Sequence, residues 1–269
     1  MPRINVNGVE LNYIREGAGE PVLLAHGLLF DAEHWRPQID ALKADHDVIA
    51  VDLRGQGQSA GSDDQASYDL WNQAEDVYGL LQALAVGPVH WVGLSMGGMI
   101  GMRVALRHPE VLRSLTLIDT TARGEEPDRV ERYEAFRGIL ESGGIEHVLP
   151  AMPPIFLKDQ FIAEHPEAVE NWFEMLRRSD HASVARASRS VDARDDITEQ
   201  VGEISVPTLV IHGTEDAAID PEKGEELART IPGARLEWIA GAGHQSNVDS
   251  ADEVTRLVAE FIASVPAAA

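Results

Sequence analysis

The chain has 269 residues, enough for one large domain with a substantial core and a helical insertion within it. It holds no cysteine, which excludes disulfides, thiolate metal sites and cysteine nucleophiles. Forty-five acidic residues against 22 basic ones give a formal charge of −23, which repels nucleic acid and anionic membrane surfaces and leaves a small molecule as the expected partner. The start, Met1-Pro2-Arg3-Ile4-Asn5-Val6, lacks the apolar core of a signal peptide, and no stretch approaches the roughly 18 apolar residues of a membrane span. The expectation is a cytoplasmic protein without a membrane partner, whose oligomeric state the sequence leaves open.

In chain order, residues 4–6 and 9–14 flank Asn7-Gly8 and predict a hairpin at a sheet edge. Apolar runs at 22–25, 48–51, 89–94, 115–118, 208–211 and 236–239 read mostly as strands buried on both faces. Amphipathic stretches at about 33–44, 67–85, 96–108, 221–231 and 248–263 separate them. This alternation predicts an α/β fold, a mostly parallel twisted sheet with helices on both faces. It breaks between about 121 and 206, where helical periodicity continues without a convincing strand and Pro150, Pro153, Pro154 and Pro166 punctuate several short helices. The expected division is a core of 1–121 and 201–269 with a helical cap insertion at 122–200, and the tail Ala267-Ala268-Ala269 should fray.

The pentapeptide Gly93-Leu94-Ser95-Met96-Gly97 lies where a strand gives way to a helix. Strand, sharp turn and helix are the context in which a G-x-S-x-G serine becomes a nucleophile. The turn strains the serine backbone, so its neighbours two residues away must be small, and both are glycine. Ser95 is therefore the candidate nucleophile. Gly57-Gln58-Ser59-Ala60-Gly61 fits the same letters but runs into Ser62-Asp63-Asp64-Gln65 with no helix start, so Ser59 reads as loop punctuation.

A serine hydroxyl needs a base and a third group that orients the base. Of ten histidines, His244 follows Gly241-Ala242-Gly243 between the last strand and the last helix, where it can overhang the carboxyl ends of the central strands. It is the candidate base. His46, His90, His108, His165 and His181 read as structural or solvated, His212 as packing that could contact the site without a catalytic part, and His26 as bonded within its own loop. Asp216, in Gly213-Thr214-Glu215-Asp216, is the candidate acid, with Asp119 at the end of strand 115–118 as its rival. Glu215 should point elsewhere, and Asp220 should cap the helix that Pro221 opens. The N–H of Met96, at a helix start, and that of Leu28, in the turn His26-Gly27-Leu28, are the expected oxyanion donors. No cofactor or metal is called for.

These motifs, with Asp52-Leu53-Arg54-Gly55-Gln56-Gly57-Gln58-Ser59 between them, resemble the α/β-hydrolase superfamily over nearly the whole chain. Within it the chain is similar to small carboxylesterases and to the 3-oxoadipate enol-lactonase group, partly through His244-Gln245-Ser246-Asn247-Val248. The resemblance implies a structural role for the 52–59 segment. It also implies a serine hydrolase that cleaves small carboxylic esters or lactones through an acyl-enzyme. Haloalkane dehalogenases and epoxide hydrolases of similar fold carry aspartate at the elbow, so Ser95 argues against both. The same machinery would serve a carbon–carbon bond hydrolase or an acyltransferase or perhydrolase, and a ligand-binding receptor without turnover is the reading outside enzymes.

Overall fold

Asn7 and Gly8, with φ of 43° and 74°, reverse β1 (Arg3–Val6) into the antiparallel β2 (Val9–Gly17), the primed turn that Asn-Gly favours. The computed structural model to which they belong describes residues 2–266, apart from the side chain of Asp128; the tail Ala267-Ala268-Ala269 lies outside the described residues. The remaining strands are β3 (Glu20–Ala25), β4 (His46–Val51), β5 (Val89–Leu94), β6 (Leu112–Ile118), β7 (Thr208–Gly213) and β8 (Arg235–Ile239). They run parallel to one another, with β2 antiparallel to β4, in the order β1-β2-β4-β3-β5-β6-β7-β8.

The helices of the core are α1 (Arg36–Leu42), α2 (Leu70–Ala83) and α3 (Met96–Arg107). Between β6 and β7 follow α4 (Pro127–Glu141), α5 (Pro153–Phe156), α6 (Asp159–Glu164), α7 (Pro166–Arg178) and α8 (His181–Asp192), and after β7 come α9 (Glu222–Thr230), α10 (Ser246–Asp249) and α11 (Ala251–Ser264). Pro127, Pro153 and Pro166 each open a helix, where a missing N–H leaves nothing unsatisfied. No strand lies between β6 and β7 among the described residues. Among them, too, no helix is long and apolar enough to cross a membrane.

Alternate residues of one strand enter two different cores, which is why the strands read as unbroken apolar runs. Leu23, Ile49, Trp91, Leu115 and Val210 pack on one face with Val77 and Leu80 of α2 and Ile100 and Val104 of α3. Val22, Val48, Val92 and Leu209 pack on the other with Ile39 of α1 and Val254 and Val258 of α11. The chain steps from β3 outward to β4, then returns to add β5 on the opposite side. The carboxyl ends of β3 and β5 thus flank the switch point where ligands bind in such sheets.

Several boundaries differ from expectation. β6 starts at Leu112, three residues before the apolar run, because Arg113 turns out to pair with Glu20 while Ser114 shares a hydrogen bond with His90. His46 opens β4 instead of preceding it. The stretches 33–44 and 67–85 each begin with a short 3-10 turn, at Ala32–Trp35 and Gln65–Tyr68, and 248–263 breaks at Ser250 into α10 and α11. β8 is an edge strand with only Ile239 fully buried, not a strand covered on both faces.

Candidate active site

Ser95 stands between β5 and α3 with φ 50° and ψ −114°, a conformation L-residues rarely adopt. Its backbone is fixed on both sides: its N–H donates to Ile118 O at 2.9 Å, and its carbonyl accepts from Thr120 Oγ1 at 2.7 Å. The flanking glycines are sterically required. A Cβ on Gly93 would collide with the carbonyl of Gly97, and one on Gly97 with the carbonyls of Ala25 and His26. β3, β5 and α3 therefore meet at van der Waals distance at the point where the hydroxyl is presented.

His244, on the loop between β8 and α10, places Nε2 3.0 Å from Ser95 Oγ and Nδ1 2.8 Å from Asp216 Oδ2. The structure brings all three together although 149 positions separate serine from histidine. Asp216 ends the turn after β7, and its Oδ1 accepts from the N–H groups of Ala218 and Ile219 at 2.8 and 2.9 Å. Burial opposes ionisation of Asp216, yet the pull of His244 and His212 overrides it and holds the carboxyl well below the usual carboxylate range. Burial likewise disfavours the His244 cation, and the charge and hydrogen bond of Asp216 outweigh it, so the imidazole titrates above its ordinary value. An ionised Asp216 accepts from His244 Nδ1–H, which leaves Nε2 as the acceptor facing the serine.

The rival Asp119 faces the same cluster without bonding His244. Its Oδ1 accepts from Gly213 N–H, and its Oδ2 from the N–H and hydroxyl of Ser246, pinning the Asp216 loop and the His244 loop to the end of β6. Burial raises its pKa to about 6. His212, whose position suggested packing with a contact to the site, makes that contact. Its Nε2 lies 3.3 Å from Asp216 Oδ2 and 3.1 Å from Ile219 O, so two imidazoles share one carboxylate. Asp119, His212 and Asp216 bring ligand-type atoms within 4.8 Å of one another, but those carboxylates are already engaged by backbone N–H groups and imidazoles. Glu215 is exposed, and Asp220 accepts from Glu222 N–H at the start of α9.

The loop after β3 closes against Ser95, since a Cβ on Gly27 would stand 3.3 Å from that of Ser95. His26 Nε2 accepts from Leu53 N–H, so Nδ1 carries the proton donated to Gly27 O. Among the described residues no protein acceptor takes Leu28 N–H, whereas the next one, Leu29 N–H, donates to Gln56 Oε1 at 2.8 Å. Met96 is the first residue of α3, where an N–H has no partner within the helix. A cavity of about 260 Å³ opens above Ser95, walled by Leu28, Met99, Phe136, Met152, Phe156 and Val191. Arg129, Arg132, Arg194 and Glu125 line it as well, with Arg194 Nη1 3.0 Å from Glu125 Oε2 and Arg129 donating to Ala218 O.

Segment 119–207 reaches the site at two joints that sequence reasoning did not find. Phe156 O accepts from Gln245 N–H beside His244, and Trp172 Nε1–H donates to Leu29 O. Neither has a local sequence signal. An aromatic residue is legible as a type in the sequence, but not the carbonyl its ring would reach.

A family model described as alpha/beta hydrolase fold matches residues 20–139, and one described as TAP-like protein matches 177–267. RutD of Azorhizobium caulinodans, whose name provisionally assigns it carbamate hydrolysis, is 30% identical over 98% of this chain and 99% of its own. Among solved structures, a thermophilic esterase from Thermogutta terrifontis shares 31% identity with a TM-score of 0.92, over 98% of this chain and 99% of that one. The enol-lactonase of Burkholderia xenovorans LB400 shares 30% identity with a TM-score of 0.91, over 98% and 100%.

Proposed function

We propose, for a chain that belongs to the alpha/beta hydrolase family, that it cleaves small carboxylic esters or lactones through an acyl-enzyme on Ser95. The single observation that carries this reading is His244 bridging Ser95 Oγ and Asp216 Oδ2 at 3.0 and 2.8 Å on the wall of a cavity. In the proposed reaction Ser95 Oγ attacks the carbonyl carbon while its proton passes to His244 Nε2. The N–H groups of Met96 and Leu28 hold the oxyanion. Collapse of the tetrahedral intermediate expels the alkoxide, which takes the proton from His244, and a water activated by the same imidazole then releases the acid. Asp216 stays ionised throughout and stabilises the imidazolium.

The domain division proposed with it takes 1–121 and 201–269 as the core that carries the reacting groups, and 122–200 as the cap that shapes the pocket. Esterase and enol-lactonase relatives of near-equal length support ester and lactone bonds as substrates. The test is hydrolysis of p-nitrophenyl acetate, a dicarboxylic monoester and an enol-lactone, alongside a fluorophosphonate probe. Labelling at Ser95 with turnover of at least one substrate is expected; an unlabelled Ser95 in folded protein defeats the reading.

A further inference from the structure

We propose that Trp172 is a positioning residue for the oxyanion loop: the indole N–H carried by α7 fixes the residue next to the Leu28 donor, so that seating of α7 and completion of the anion site are one event. This rests on the reading of Ser95 as nucleophile and Leu28 N–H as oxyanion donor.

Leu29 has φ of 73°, in the left-handed region. For a residue other than glycine such a conformation is unfavourable and persists only where its surroundings over-determine it. Here two buried side chains from distant segments do so. Gln56, from the loop after β4, accepts from Leu29 N–H at 2.8 Å, and Trp172 Nε1–H donates to Leu29 O at 3.0 Å. Both polar groups of one strained residue are thus held by side chains, one from the core and one from α7. If Leu29 relaxed to negative φ, the peptide joining it to Leu28 would swing, and the adjoining Leu28 N–H would leave its place beside Ser95.

The indole cannot shift to evade that role. It stacks on Phe30, the next residue of the same loop, with centroids 5.1 Å apart and planes at 19°, and meets Phe156 edge-on at 5.5 Å. Phe156 in turn lies 5.7 Å from the His244 ring. One tryptophan therefore touches the loop that carries an oxyanion donor and the aromatic neighbour of the base. A residue that only filled space would need none of this donor geometry, and removing its N–H would alter stability alone.

The experiment replaces Trp172 by benzothienylalanine, which keeps the ring shape and loses the N–H, and separately by phenylalanine. For each, kcat and KM on a short p-nitrophenyl ester, affinity for a trifluoromethyl ketone that forms a tetrahedral adduct, and Tm are measured. The expected result is a fall in kcat of about tenfold or more with KM within about twofold, and a matching fall in adduct affinity. Gln56→Met should act in the same direction and non-additively with Trp172→Phe, because both work through Leu29. If benzothienylalanine leaves kcat and adduct affinity within about twofold, or if the loss merely tracks the unfolded fraction, the proposal is overturned. Ser95→Ala in the same assay separates the two levels: an active Ser95→Ala defeats the underlying reading, whereas an inactive one beside an unchanged benzothienyl enzyme defeats only the role of Trp172.

Discussion

The chain carries the same five-letter pattern twice, and the two copies have opposite fates. At Gly57-Gln58-Ser59-Ala60-Gly61 the serine is consumed by the scaffold: its hydroxyl donates to Asp52 O at 2.6 Å and accepts from Asn12 N–H at 2.8 Å. At Gly93-Leu94-Ser95-Met96-Gly97 the backbone is tied down and the hydroxyl is offered to an imidazole instead. Both copies need their glycines, since a Cβ on Gly57 would strike the Asp52 carboxylate just as one on Gly97 would strike β3. Tight packing therefore does not distinguish them. What does is which polar groups of the serine the fold spends on itself: the hydroxyl in one copy, only the main chain in the other.

The sharpest way to break that contrast is to remove each hydroxyl. Ser95→Ala is expected to lower kcat by roughly three orders of magnitude or more, with Ser59→Ala within about twofold of the parent in the same ester assay. Equal losses would end the distinction. Gly97→Ala should come next: pushing α3 away from β3 displaces the nucleophile from the Leu28 loop, and kcat/KM of the folded enzyme should drop on the order of 100-fold. An enzyme of parental activity with an added Cβ would mean that the close approach is dispensable.

The base supplies a finer test. On the proposed mechanism His244 must be a neutral acceptor, and its pKa lies above the ordinary 6.5, so kcat/KM should rise with pH and reach half its plateau above that value. A flat profile from about pH 5 to 8 contradicts the assignment. His212 repels a proton on His244, so His212→Asn should move the acid limb further up in pH; a limb that moves down refutes the shared carboxylate. The smallest effect belongs to Ser59→Ala, which should cost about 1 kcal/mol in denaturant unfolding by stripping two hydrogen bonds from the 52–59 loop.

The buried strands and the elbow could be read in advance because their signals are local: apolar runs mark the strands, and two glycines around a serine at a strand end mark the turn. Asp216 and His244 were legible through their places after particular strands, which is topology compressed into chain order. The first turn of β6 was hidden because Arg113 and Ser114 satisfy themselves with Glu20 and His90, partners no window around them contains. The same is true of Gln56 and Trp172, which meet Leu29 from 27 and 143 positions away. For His212 the place at the end of β7, and with it a contact with the site, was plain, but that its ring turned toward Asp216 depended on the course of the 214–219 loop.

The positive φ of Ser95 has a consequence for how this enzyme persists. Glycine would occupy that torsion without penalty, so Ser95→Gly should yield a sturdier chain that does nothing, by something on the order of 1 kcal/mol. Durability of the chain and retention of the Ser95 hydroxyl thus pull in opposite directions at a single position.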